Sequence, residues 1–220
     1  DQFWGTYNAV LGALEVEQGA DTFTVTYSAT CEGDGQSFTY RARITGTPTG
    51  LRFEATGAGD TDFLTNRTGF VVLHGVEGIS GAPVTVEHVD GRMVESVFPE
   101  LIDPDCPIRD IRALTHTVVP GVSVRCEMTG DTFEMEDQRN WTDASYKTYV
   151  RPLSLPHPYT LASGEQVDQA IALTFDGAPP SASAAGAGVA ISVGGRAGTV
   201  PKIGMWVDIG DIATAREHAQ

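Results

Sequence analysis

Basic residues are scarce in this sequence: 14 Lys and Arg stand against 29 Asp and Glu, a formal charge of −15. Phosphate backbones require clustered cations, so no nucleic-acid partner is expected. Cysteine is scarcer still. Cys31, Cys106 and Cys126 are far apart, odd in number and free of any CxxC pair, so neither a disulfide framework nor a structural zinc site is suggested. Reduced thiols in a cytoplasm fit best. No run approaches the ~18 apolar residues of a membrane span, and no charged start followed by an apolar run marks a signal peptide. A soluble cytoplasmic protein without a membrane partner is therefore expected. Internal repeats and heptads are absent, and so are the words GxSxG and HExxH. His74, His88, His116, His157 and His218 lack ligand spacing, so no metal and no cofactor is expected.

What is present reads as β structure. Phe23, Val25, Tyr27 and Ala29 alternate with Thr and Ser, the two-residue period of a half-buried strand. Gly33-Asp34-Gly35 then turns the chain into a strand with Phe38, Tyr40, Ala42 and Ile44 on one face and Arg41 and Arg43 on the other. Leu51, Phe53 and Ala55 continue the meander after a Gly46-Thr47-Pro48 turn. Residues 68–74, apolar on both faces at their centre, predict a strand between two layers, and Asn66 and Arg67 lead into it. Asp90-Gly91 marks a hairpin whose first strand puts His88 on the face of Val84 and Val86. That histidine is a core residue or a catalytic base. Three prolines make residues 99–110 a stiff loop of the kind that lines sites, and His116 follows it. Cys106 within it has no base nearby in sequence and is not expected to be a nucleophile. Val122 to Met128 alternate again, and Thr129-Gly130-Asp131 predicts a hairpin into Phe133 and Met135. Residues 169–175 give a last strand of the sheet system.

Residues 131–149 concentrate chemistry: five acids and two bases stand with the rings of Trp141, Tyr146 and Tyr149 in one stretch. Alternation puts Glu134 and Glu136 on one face and Phe133, Met135 and Asp137 on the other, so Asp137 points inward. Glu136, Asp137, His88 and His116 are the catalytic candidates. Arg139, Asn140, Trp141, Asp143, Lys147 and Arg67 are the substrate-binding candidates, because polar groups beside a flat ring suit a polyhydroxylated ligand. The other reading is a structural corner in which Arg139 and Lys147 neutralise the acids.

The words FEMEDQRNWTDASYKTYVRPL, DFLTNRTGFVVLH, VTVEH with VDGR, and FPELIDP leading into DIRALTH resemble the N-terminal part of the D-apionate lactonase family, over roughly residues 3–175. The resemblance implies hydrolysis of D-apionolactone to D-apionate in bacterial apiose catabolism, with a small sugar lactone as the partner molecule. It also implies that this β-rich region precedes a barrel, on which it packs. An all-β antiparallel sandwich or supersandwich is expected over residues 1–175. A Gly-, Ala- and Pro-rich linker is expected over 176–201 and the start of an α/β (TIM-like) barrel over 202–220. Three functions stand side by side: an accessory domain walling a lactonase pocket, a self-sufficient mutarotase-like or carbohydrate-binding domain using His88 or His116 with Glu136, and a structural interdomain module.

Overall fold

Two-residue alternation dictates most of the strands in the computed structural model, which describes residues 1–178. Four strands, β1 (Ala9–Gln18), β2 (Phe23–Gly33), β3 (Gln36–Thr47) and β4 (Gly50–Gly59), run as an antiparallel meander. The β2–β3 turn has Asp34 and Gly35 at φ +52° and +76°, the left-handed pair that a tight hairpin requires. Then come β5 (Phe63–Thr65), β6 (Val71–Gly75), β7 (Pro83–His88), β8 (Met93–Val97), β9 (Ile111–Val119) and β10 (Val122–Thr129). The last strands are β11 (Phe133–Asp137), β12 (Ser145–Val150), β13 (Tyr159–Leu161) and β14 (Gln166–Gly177).

Hydrogen bonding links β1-β2-β3-β4-β14-β10-β9 in that order, and β7 and β8 extend this sheet beyond β9. A shorter antiparallel layer, β11-β12-β6, meets the long sheet through the single pair Phe133 and Ile111. The chain therefore forms the expected antiparallel β-sandwich, with layers of unequal width. Val84, Val86, Leu114, Met128 and Ile171 of the long sheet share one core with Phe133, Met135, Tyr146 and Val150 of the short one. Phe98, Phe133 and Tyr146 are wholly buried there, each contributing roughly 1.5–3 kcal/mol of apolar transfer. On the strand faces, Phe38, Val84, Val86, Val124 and Phe133 are buried, while Tyr40, Leu51, Phe53 and Val72 are half-buried.

Three local expectations change. Residues 68–74 do not lie between layers, because β6 is an edge strand with Val71 and Leu73 in solvent and only Val72 and His74 turned inward. Thr129-Gly130-Asp131 is not a hairpin, because β10 pairs with β9 and β14 while β11 pairs with β12. It is a corner that carries the chain between layers. Gly130 holds φ +96° against the Asp168 carbonyl, where a Cβ has no room. Finally, β1 adds an edge strand that no alternation announces. β14 continues to Gly177, and the remainder of the expected linker, with the expected barrel start at 202–220, lies outside the described residues.

Candidate ligand cavity

The short layer covers only part of the long one, and the uncovered part bounds a cavity of about 1000 Å³, near the top of the range for small-molecule sites. Its floor is the inward face of β2, β3 and β4. Tyr27, Tyr40 and Phe53 lie there with centroids 6.2 Å and 6.5 Å apart, and Phe53 meets Phe70 at 4.7 Å. The opposite wall is the face of β11 and β12 that turns away from the common core, carrying Glu136, Lys147 and Tyr149. The loop between β5 and β6 closes one end with Asn66 and Arg67, and Trp4 lies beside them.

Glu136 and Lys147 are directly opposed across β11 and β12, and their side chains meet at 2.7 Å. Trp141, at the end of a 3₁₀ turn (Gln138–Trp141), donates its Nε1 proton to the other Glu136 oxygen at 2.7 Å. Burial pushes the Glu136 carboxyl up. The Lys147 and Trp141 hydrogen bonds outweigh that and hold it below the usual carboxylate range. Near neutrality it is an ionised acceptor rather than a proton donor. Arg67 lies 4.3 Å over the Tyr149 ring and 5.1 Å over the Trp4 ring, and its Nη1 donates to the Arg151 carbonyl at 2.9 Å. Of the residues singled out from sequence, Arg67, Glu136, Trp141 and Lys147 thus come together on this cavity.

The others go elsewhere. Asp137 does point inward, but inward is the packed core side, and the cavity lies on the Glu136 face. Asp137 is fully buried. It takes Arg139 Nη2 at 2.7 Å and Nε at 2.9 Å and the Asp103 amide at 3.0 Å. Burial raises its carboxyl, and these bonds reverse the shift to below the usual range. Arg139 also donates to the carbonyls of Pro99, Glu100 and Leu101, and Asn140 to those of Asp103 and Asp137. These three residues pin the proline-rich loop to the 3₁₀ turn and do not line the cavity. Asp143 is exposed and accepts from Ser145 at 2.9 Å.

Neither histidine candidate lies on the cavity. His88 is half-buried at the end of β7, with Nδ1 3.0 Å from the Arg109 carbonyl. His116 is packed edge-on against Phe98, 5.1 Å between centroids, and 6.0 Å from His74. Burial lowers the pKa of both His74 and His116. A pairing of either candidate with Glu136 is therefore not formed. Burial also pushes the Cys106 thiol up to about 11, which keeps it protonated. Among the described residues no group of three or more His, Cys, Asp or Glu stands where it could hold a metal.

Two contributors escape sequence reading. Tyr27, Tyr40 and Phe53 carry the periodicity of core residues, and only the unequal layers expose them to a cavity. Asn66 is 3% exposed, yet neither its Oδ1 nor its Nδ2 has a hydrogen-bond partner among the described residues. No linear signal marks an amide of that kind.

Fold and cavity together define a β-sandwich domain with an open cavity at the overhang of its larger sheet. Residues 1–178 match the family described as D-apionate lactonase, N-terminal domain, and the chain belongs to that family. It is 47% identical over 210 residues to a D-apionate lactonase of Brucella anthropi, a match that covers 93% of this chain and 34% of that protein. The chain thus spans about a third of the length of that relative. A crystal structure of a putative aldose 1-epimerase from Escherichia coli K12 overlaps 76% of this chain and 69% of its own, with 12% identity and a TM-score of 0.43.

Proposed function

We propose that this chain is the N-terminal domain of a bacterial lactonase that hydrolyses D-apionolactone to D-apionate in apiose catabolism, and that it forms one wall of the substrate pocket. The observation that carries the second part is the meeting of Glu136, Lys147 and Trp141 above a floor of aromatic rings. Sugars present apolar faces to rings and hydroxyls to charged groups, and this cavity offers both. Residues 1–178 form the sandwich, and the barrel that follows it in the family supplies the remaining wall. Cys31, Cys106 and Cys126 are all free thiols, which supports a cytoplasmic site of action.

Trp141→Ala in the full-length enzyme tests the reading. The ring is 68% exposed, so its loss removes little packing and the melting temperature should barely move. The value of kcat/KM for D-apionolactone should fall about tenfold, mostly through KM, as a sugar contact is lost and Glu136 loses a donor. Unchanged kinetics in the variant would remove the cavity from the substrate's path.

A further inference from the structure

We propose that the Asn66–Arg67 end of the cavity is a carboxylate subsite, so that this domain binds a free polyhydroxy acid (an aldonate) in preference to an uncharged sugar or lactone. The inference rests on the cavity being the sugar-binding site and adds which chemical form it retains. Arg67 carries the argument. Among the described residues it forms no ion pair, in a chain with twice as many acids as bases. One N–H goes to the Arg151 carbonyl, while Tyr149 and Trp4 hold the plane of the guanidinium. Lys147 does not compete for an incoming anion, because Glu136 already neutralises it at 2.7 Å. A fork of unused N–H donors, fixed in plane on an aromatic wall, matches a carboxylate in geometry as well as charge.

Asn66 is the independent observation. Its amide is almost wholly buried on the same cavity with donor and acceptor both unpartnered, an arrangement costly to keep unless something completes it. A hydroxyl next to a carboxylate is complementary to both amide atoms, since it donates to Oδ1 and accepts from Nδ2.

The loop that presents the two residues is held firmly. Thr65 Oγ1 donates to the Arg67 carbonyl at 2.8 Å and accepts from its amide at 3.1 Å. Gln169 takes the Phe70 amide at 3.0 Å and donates to the Thr68 carbonyl at 3.3 Å. Gly69, at φ +143°, passes so close to Gln169 and Val150 that a Cβ there would displace their side chains. Such preorganisation favours a specific ligand over a general polar surface. Opening a lactone ring with water creates the carboxylate that this end would recognise, so the domain favours product over substrate.

The test is calorimetric titration of the 220-residue chain with D-erythronate and with erythritol, which has the same four carbons and no carboxylate. Erythronate should bind at least about tenfold more tightly than erythritol, the scale of one charge-assisted contact. Arg67→Gln should erase the difference. Asn66→Leu should weaken erythronate binding while leaving the melting temperature unchanged or raised, because it removes two unpaired polar atoms. A structural role for Asn66 would lower that temperature instead. Equal binding of the two ligands, no binding of erythronate, or an Arg67→Gln variant that still discriminates overturns the subsite. Hydrolysis of D-apionolactone by the full-length protein is measured separately. If hydrolysis fails while erythronate binds, the lactonase reading falls and the subsite stands. Hydrolysis without discrimination gives the reverse.

Discussion

Glu136 and Asp137 are adjacent and carry the same functional group, yet strand alternation sends them to opposite faces of β11. Asp137 is sealed into the core side with Arg139 as counterion, and that guanidinium also holds three loop carbonyls. Glu136 remains at the cavity, about 29% accessible, with Lys147 beside it. Breaking the ion pair of each should therefore have opposite consequences. Arg139→Ala leaves a fully buried carboxylate unpaired and frees the proline-rich loop, and should cost about 3–5 kcal/mol of stability. The folded fraction should keep its KM. Glu136→Gln should cost no more than about 1 kcal/mol, since the pair is partly solvated, and should raise KM. Urea titrations beside steady-state kinetics on the full-length enzyme distinguish the two. A stable Arg139→Ala protein with impaired binding would return Arg139 to the site.

At the scale of the element, packing β6 and β9 into one core brings His74 and His116 together under Phe98, with Thr148 Oγ1 3.2 Å from His74 Nε2. Burial, then the neighbouring His116, lowers His74 from its ordinary 6.5 to about 4. A histidine depressed in the fold stabilises it fully above its unfolded pKa and loses that contribution as pH falls toward the folded value. Stability should decline by on the order of 3 kcal/mol between pH 6.5 and 4. Asp137 and Glu136, also depressed, withdraw theirs only below the usual carboxylate range. Melting curves across that window should slope steeply for the native chain and less steeply for His74→Phe, in which buried His116 still contributes. A flat native profile would refute the buried neutral pair.

The meander β2 to β4 and the Asp90-Gly91 hairpin were legible because alternation and turn chemistry agree along one stretch of chain. The strand β1 was not. AVLGALEVEQ lacks a clean two-residue period, its pairing with β2 shifts between Leu11 and Leu14, and as an exposed edge it buries no face that would write a pattern into the sequence. Alternation also assigned the faces of β11 correctly and still misdirected attention to Asp137. Parity says which residues share a face, but which face meets a cavity depends on the unequal widths of two layers assembled from distant strands.

On the scale of the whole molecule, the decisive question is whether recognition and catalysis reside in the same part of the family protein. The cavity supplies the Glu136 carboxylate committed to Lys147, no histidine among its described lining residues, and a lining thiol, Cys31, that burial pushes up from its ordinary value. Activation of water needs a base that is free to take a proton, and Glu136 is weakened as a base by the two donors that hold it. The match to the Brucella anthropi lactonase leaves about two-thirds of that protein unaccounted for, ample room for the missing group. The 220-residue chain is therefore expected to fold, with a circular dichroism spectrum dominated by antiparallel β structure. Its turnover of D-apionolactone should be at least about a hundredfold below that of the full-length enzyme, the usual contribution of one positioned acid or base. Proton release followed at equal molar concentrations measures this directly. Comparable rates would place the chemistry in this cavity, and Glu136→Gln in the isolated chain would then be the variant to abolish it.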